Sequence, residues 1–250
     1  MGRVVFIGAG PGSADLITLR GARRLAQADV VLYDALTDPA LRELAPRARW
    51  IHVGKRGFED STAQDTINAL LVKHASRSDV VVRLKGGDPS VFGRLEEELQ
   101  ALDDAGIGCE VVPGVTAAIA AAAEAQRPLT RRGNGRSVSL TTAMTRSGAM
   151  QGSRSADTEV FYMAGKQLAA LSRRLIEAGW PSDTPVCVVS RAGWPDALRS
   201  DHTVATLPRA SLLHAGRPTV ATVGAGAVPL RTRQMTAADT SASGVDTVKP

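Results

Sequence analysis

Cysteine is scarce in this sequence, with two in 250 residues. Cys109 and Cys187 each fall inside an apolar run, GCEVV and PVCVVS. That usage argues against a disulfide framework or a thiolate metal cluster, and both thiols are expected to be inert core residues. Aromatic residues make up only 4% of the chain, and no basic cluster is interleaved with Phe or Tyr. The stacking platform of a single-strand nucleic-acid binder is therefore missing, and no nucleic-acid partner is expected. No apolar run reaches membrane-spanning length, and the opening MGRVVFIGAGPG turns glycine-rich too early for a secretory signal. The expectation is a cytoplasmic protein with no membrane partner. His52, His74, His202 and His214 show no ligand spacing, so no metal is expected.

What the chain does have is apolar weight, glycine and basic charge. At 44% apolar content, 250 residues can bury a substantial core in one large domain or two smaller ones. The formal charge of +5 points to an anionic partner. With stacking residues so few, a polyanionic small molecule fits better than nucleic acid. Strand-like runs (RVVFIGAG, ADVVLYDAL, ARWIHVGKRG, DVVVRLKGGDP, GCEVVPG) alternate with helical patterns, which predicts an α/β fold with a mainly parallel first sheet. A helix is predicted over 95–105, closed by a left-handed Gly106, and an alanine-rich helix over 115–125. After Pro128, RRGNGRSVSL reads as a linker entering a strand and RSGAMQGSRSAD as a mobile loop. TEVFYMAG, KQLAALSRRLIEAGW, PVCVVSRAG, DHTVATLP and RPTVATVGAGAV then describe a second α/β unit. The expected division is 1–128, 129–232, and a disordered Thr/Ser/Ala-rich tail over 233–250.

Three glycine-bearing turns carry the chemistry. Gly8-Ala9-Gly10-Pro11-Gly12 follows the opening strand, yet it fails the dinucleotide template because Ser13 stands where the third glycine belongs and Pro11 stiffens the loop. Arg83-Leu84-Lys85-Gly86-Gly87-Asp88-Pro89 lacks the G-K-[ST] of a phosphate loop and offers a carboxylate beside a close-approach turn. Val112-Pro113-Gly114-Val115-Thr116 starts a helix of small residues. Each turn taken alone is a plain strand-to-helix connection. All three follow strands of the first unit and should open on one sheet edge, where open α/β sheets place ligands.

In order along the chain, GAGPGSADLITLRGARRLAQADVVLYDAL, GKRG, VVRLKGGDPSVFGR, VVPGVTAA, RPLTRR and FYMAGK resemble the tetrapyrrole methylase family from about Val4 to Val228. The combination of GKRG with RLKGGDP and FGR is similar to members acting on uroporphyrinogen III, and less so to those acting on later corrin precursors. The resemblance implies two α/β domains with S-adenosylmethionine in the cleft between them, a homodimer, and two successive C-methylations that give precorrin-2 for sirohaem or cobalamin synthesis. Other readings it leaves open are methylation of a later precorrin and a donor-binding homologue with lapsed activity. By motif, the donor's contacts would be Pro11, Gly86, Gly87, Asp88, Val91, Thr116, Ala117, Met163 and Ala192. Asp34 in LYDAL and Lys55 in GKRG match positions of a proton acceptor and donor, although Asp34 also reads as a strand-end turn residue. Arg56, Arg94, Arg131 and Arg132 are the basic groups for a carboxylate-rich substrate. Ser90, Leu95, Glu96, Arg131 and Ala164 depart from the usual pattern. The absence of a dehydrogenase and chelatase segment before Val4 suggests the stand-alone form.

Overall fold

A computed structural model of the chain describes residues 2–54, 64–143 and 152–230. Lys55, Arg56, the first half of the RSGAMQGSRSAD segment and the 233–250 tail lie outside the described residues.

The first sheet is built from β1 (Arg3–Gly8), β2 (Val30–Tyr33), β3 (Arg49–His52), β4 (Val80–Lys85) and β5 (Cys109–Val112) in the order β3-β2-β4-β1-β5. Every pairing in it is parallel. Alternate residues of β1 explain why helices cover both faces: Val4 and Phe6 pack with Leu71 and Leu102, while Val5 and Ile7 pack with Leu25 and Leu84. The covering helices are α1 (Leu19–Leu25), α2 (Gln64–Ala75) and α3 (Leu95–Asp104), the last followed by Gly106 at φ +64. A 3-10 segment over Pro39–Leu44, for which the sequence pattern gave no signal, joins β2 to β3.

α4 (Ala117–Glu124) follows the first sheet in the chain but packs elsewhere. Its Ala118 and Ala121 lie against Val160, Cys187 and Val220 of the second sheet, where small side chains allow the helix to come close. That sheet comprises β6 (Val138–Thr142), β7 (Thr158–Tyr162), β8 (Pro185–Ser190), β9 (Leu198–Thr203) and β10 (Thr219–Gly224), ordered β6-β7-β10-β8-β9. Only β6 and β7 run parallel; the other pairs are antiparallel. α5 (Leu168–Glu177) and the short α6 (Ala210–Leu213) cover its outer face, burying Leu168, Leu171 and Leu175 against Phe161 and Val188.

One cysteine expectation needs correction. Cys187 is buried in β8, and burial pushes its thiol up to about 11, with Arg127 partly opposing. Cys109 is exposed, because β5 is an edge strand bonded only to β1. A local apolar pattern carries no information about which strand ends a sheet. No helix among the described residues is long and apolar enough to cross a membrane.

Candidate active site

The three turns meet through their backbones. Gly10 and Gly87 form an isolated antiparallel bridge, with Gly87 N–H donating to the Gly10 carbonyl at 2.7 Å. Gly8 and Gly114 lie so close that a Cβ on Gly8 would stand 2.5 Å from the Gly114 Cα. Asp88 ties the second turn to the third: one carboxylate oxygen accepts from Ser90 N–H at 2.8 Å and the other from Gly114 N–H at 2.8 Å. The first turn also reaches the second sheet, where Ser13 N–H donates to the Gly193 carbonyl at 2.7 Å.

Tyr162, at the end of β7, joins the third turn to the second sheet. Thr116 occupies the N-cap position of α4 without capping it through its own side chain. The Tyr162 hydroxyl instead accepts from Ala118 N–H at 3.2 Å, satisfying one of the helix's orphan donors, and hydrogen-bonds the Thr116 hydroxyl at 2.7 Å. Its ring meets Phe92 edge-on at 5.0 Å.

Between these loops lies a cavity of about 240 Å³. Pro11, Gly86, Gly87, Asp88, Val91, Thr116, Ala117, Met163 and Ala192 all line it, as do Leu36, Phe92, Tyr162, Arg191 and Trp194. The latter five were not singled out from the sequence. A signal for two of them lies in the backbone: Phe92 and Arg191 adopt φ of +52 and +53, as the expected contact Met163 does at +59. Left-handed non-glycine residues cost on the order of 1–3 kcal/mol each and concentrate at functional sites. Arg191 is held by Asp196 at 2.8 Å, and Ser190 before it is braced by Arg217 Nε and His214 Nδ1, both at 2.9 Å.

Leu36 and Phe92 also line a second cavity of about 410 Å³, so the two adjoin. Asp34, Gly54, Gln64, Arg83, Lys85 and Arg94 border this second space. Asp34 sits in the turn after β2, where Thr37 donates to its carbonyl, and its carboxylate accepts from Arg83 Nη2 at 2.7 Å. Both the turn role and the cleft position are therefore present. Arg83 and Lys85 are buried cations on the central strand, paired with the buried Glu98 at 2.9 and 2.6 Å. Burial opposes the charge on Arg83, but Asp34 and Glu98 outweigh it and raise its pKa; for Lys85, burial and the neighbouring Arg83 prevail and lower it.

The remaining expected contacts divide. Arg94 lines the second cavity with its guanidinium on Glu97, at 2.6 and 2.8 Å. Arg131 and Arg132 line neither cleft cavity: Arg131 donates to the Val228 carbonyl and Arg132 is exposed. Among the described residues, no group of three His, Cys, Asp or Glu side chains could hold a metal ion.

Parallel strands ending in glycine turns over a two-chambered cleft, closed by a second and mixed sheet, define a small-molecule-binding α/β protein. The chain belongs to the tetrapyrrole (corrin/porphyrin) methylase family, whose sequence profile matches residues 3–208. It is 44% identical over 195 residues to uroporphyrinogen-III C-methyltransferase of Pseudomonas aeruginosa, covering 76% of this chain and 80% of that protein. It is 42% identical over 231 residues to siroheme synthase of Azotobacter vinelandii, covering 90% of this chain but half of that longer protein. Among solved structures, uroporphyrin-III C-methyl transferase of Thermus thermophilus complexed with S-adenyl homocysteine superimposes with a TM-score of 0.77 at 34% identity, covering 89% and 97% of the two chains. A cobalt precorrin-4 methyltransferase reaches the same TM-score at 30% identity, covering 91% and 96%.

The role of Tyr162 as a cap supplied from the other sheet can be measured. Tyr162→Phe removes both hydroxyl contacts and leaves the Ala118 N–H without its acceptor, so urea unfolding should show a loss of about 1–3 kcal/mol. An unchanged midpoint would mean that the hydroxyl does not bear on the junction.

Proposed function

We propose that this protein is an S-adenosylmethionine-dependent C-methyltransferase that methylates uroporphyrinogen III twice to give precorrin-2. The observation that carries the reading is the single cavity that all nine donor-contact residues line. Its fit to the donor is supported by two features. The lining is mainly small or apolar, with Val91, Ala117, Val189, Ala192 and Val220 suited to a nucleoside. A Cβ added to Gly87, at φ +73, would find nothing nearer than 3.9 Å, so the glycine leaves room at the cavity wall.

When bound, S-adenosylmethionine supplies an electrophilic methyl carbon: a carbon–carbon bond forms at the pyrrole ring while the carbon–sulfur bond breaks and leaves its electron pair on sulfur. The chain's contribution is positional. Pro11, the Gly86-Gly87-Asp88 turn, Thr116 and Ala117 hold the donor from the turns of the first sheet, and Met163 and Ala192 from the second sheet. Holding two reactants in line can supply on the order of 7–11 kcal/mol of the barrier. The methylated ring is cationic until a proton leaves it, and Asp34, in the adjoining cavity, accepts that proton. Lys55 is the proton donor. Arg56 and Arg94 receive the carboxylates of the tetrapyrrole rim; Arg94 borders the second cavity, whereas Arg131 and Arg132 lie away from both cavities.

The working form in this reading is a homodimer in the cytoplasm. An apolar groove between α4 and the edge strand β6, with Ile119 and Leu140 exposed, supports pairing with a second copy. Sedimentation at micromolar concentration should give a dimer, and a monomer would contradict it.

The activity has a direct assay. Incubation with S-adenosylmethionine and uroporphyrinogen III should yield a product heavier by two methyl groups in mass spectrometry. Turnover of a later precorrin alone would move the substrate assignment, and donor binding without transfer to any acceptor would make the chain a binding protein.

A further inference from the structure

A proton acceptor works only if its carboxylate stays in one place beside the substrate, and the turn after β2 secures only the main chain of Asp34. The side chain is 28% exposed and is fixed from beneath. Arg83 donates through Nη2 to Asp34 Oδ1 at 2.7 Å, through Nε to Glu98 Oε1 at 2.9 Å, and through Nη1 to the Leu84 carbonyl at 3.2 Å. A guanidinium so engaged has no rotameric freedom left. Glu98 in turn has no solvent exposure and holds Lys85 Nζ on its other oxygen at 2.6 Å. Arg83 and Lys85 stand two residues apart on β4, so they share one face of the sheet, and α3 brings Glu98 down onto both.

Four charges, two of each sign, are thus gathered under one wall of the cleft. Such a cluster is not what stability alone would select, because apolar residues of similar volume often pack at least as well. What it provides is a rigid mount that ends in a half-buried carboxylate. We propose that Arg83, anchored by the buried Glu98, is the positioning residue that holds the Asp34 carboxylate in the cleft for proton removal. The proposal rests on the reading of Asp34 as the proton acceptor.

Arg83→Lys keeps the charge, but a single ammonium cannot reproduce the planar fork that spans two carboxylates. For methyl transfer to uroporphyrinogen III, kcat should fall by about tenfold, with calorimetric affinity for S-adenosylhomocysteine unchanged. Placed on an Asp34→Asn background, the same substitution should cost little more, because it acts through the missing carboxylate. Glu98→Gln offers one amide oxygen to two cations and should lower kcat in the same direction; it serves if Arg83→Lys does not fold. Unchanged kcat in the folded variants, or an equal fall with and without Asp34, overturns the proposal. If the unmodified protein transfers no methyl group, the functional reading fails, and a crystal structure of the Arg83→Lys or Glu98→Gln protein still decides the positioning claim. An Asp34 carboxylate displaced from its present site upholds it, and one unmoved overturns it.

Discussion

The turns after β1, β4 and β5 touch backbone to backbone, and no side chain fits between them. A Cβ on Gly114 would lie 2.4 Å from the Gly87 carbonyl oxygen, and one on Gly8 would lie 2.7 Å from that same oxygen. Because the contact is made by main-chain atoms, it ties the three strand ends to one another without any side chain between them. Everything that lines the cleft from the first sheet hangs from that junction: Pro11 just beyond the first turn, Asp88 bonded across to the third, and Thr116 and Ala117 at the start of α4. The second sheet is then docked by Tyr162 on α4 and by the Gly193 carbonyl on Ser13. Residues far apart in sequence come to share one wall by this route.

Rigidity here coexists with stored strain and buried charge. Phe92, Arg94, Met163 and Arg191 all adopt left-handed backbone angles around the two cleft cavities. The surrounding contacts over-determine these conformations, as when Arg191 is gripped by Asp196. The charge cluster of Asp34, Arg83, Glu98 and Lys85 adds a second fixed element, placed along the wall of the second cavity. A site arranged in this manner suits chemistry whose demand is alignment, since little has to reorganise when reactants arrive.

Much of this was legible in the sequence, for identifiable reasons. Parallel strands send their carboxyl ends to one edge, so glycine turns after RVVFIG, VVVRLK and CEVV had to converge. The helix over 95–104 and its left-handed Gly106 followed from local capping chemistry. What stayed hidden depends on contacts between distant segments. The Arg and Lys in VVVRLK read as strand residues, but their burial makes sense only once Glu98 arrives on α3. Tyr162 caps a helix 46 residues earlier in the chain, and Arg131 turns to a carbonyl 97 residues later. The mixed directions of the second sheet and the exposed edge position of Cys109 are likewise tertiary facts.

The central claim is that the glycine turns and the second sheet together form one nucleoside site. A crystal structure of the protein grown with S-adenosylhomocysteine tests it most directly. The account predicts the ligand folded between Gly86-Gly87-Asp88 on one side and Met163 and Ala192 on the other, with its sulfur facing the cavity that Asp34 borders. A ligand bound elsewhere, or one touching only a single turn, would contradict it.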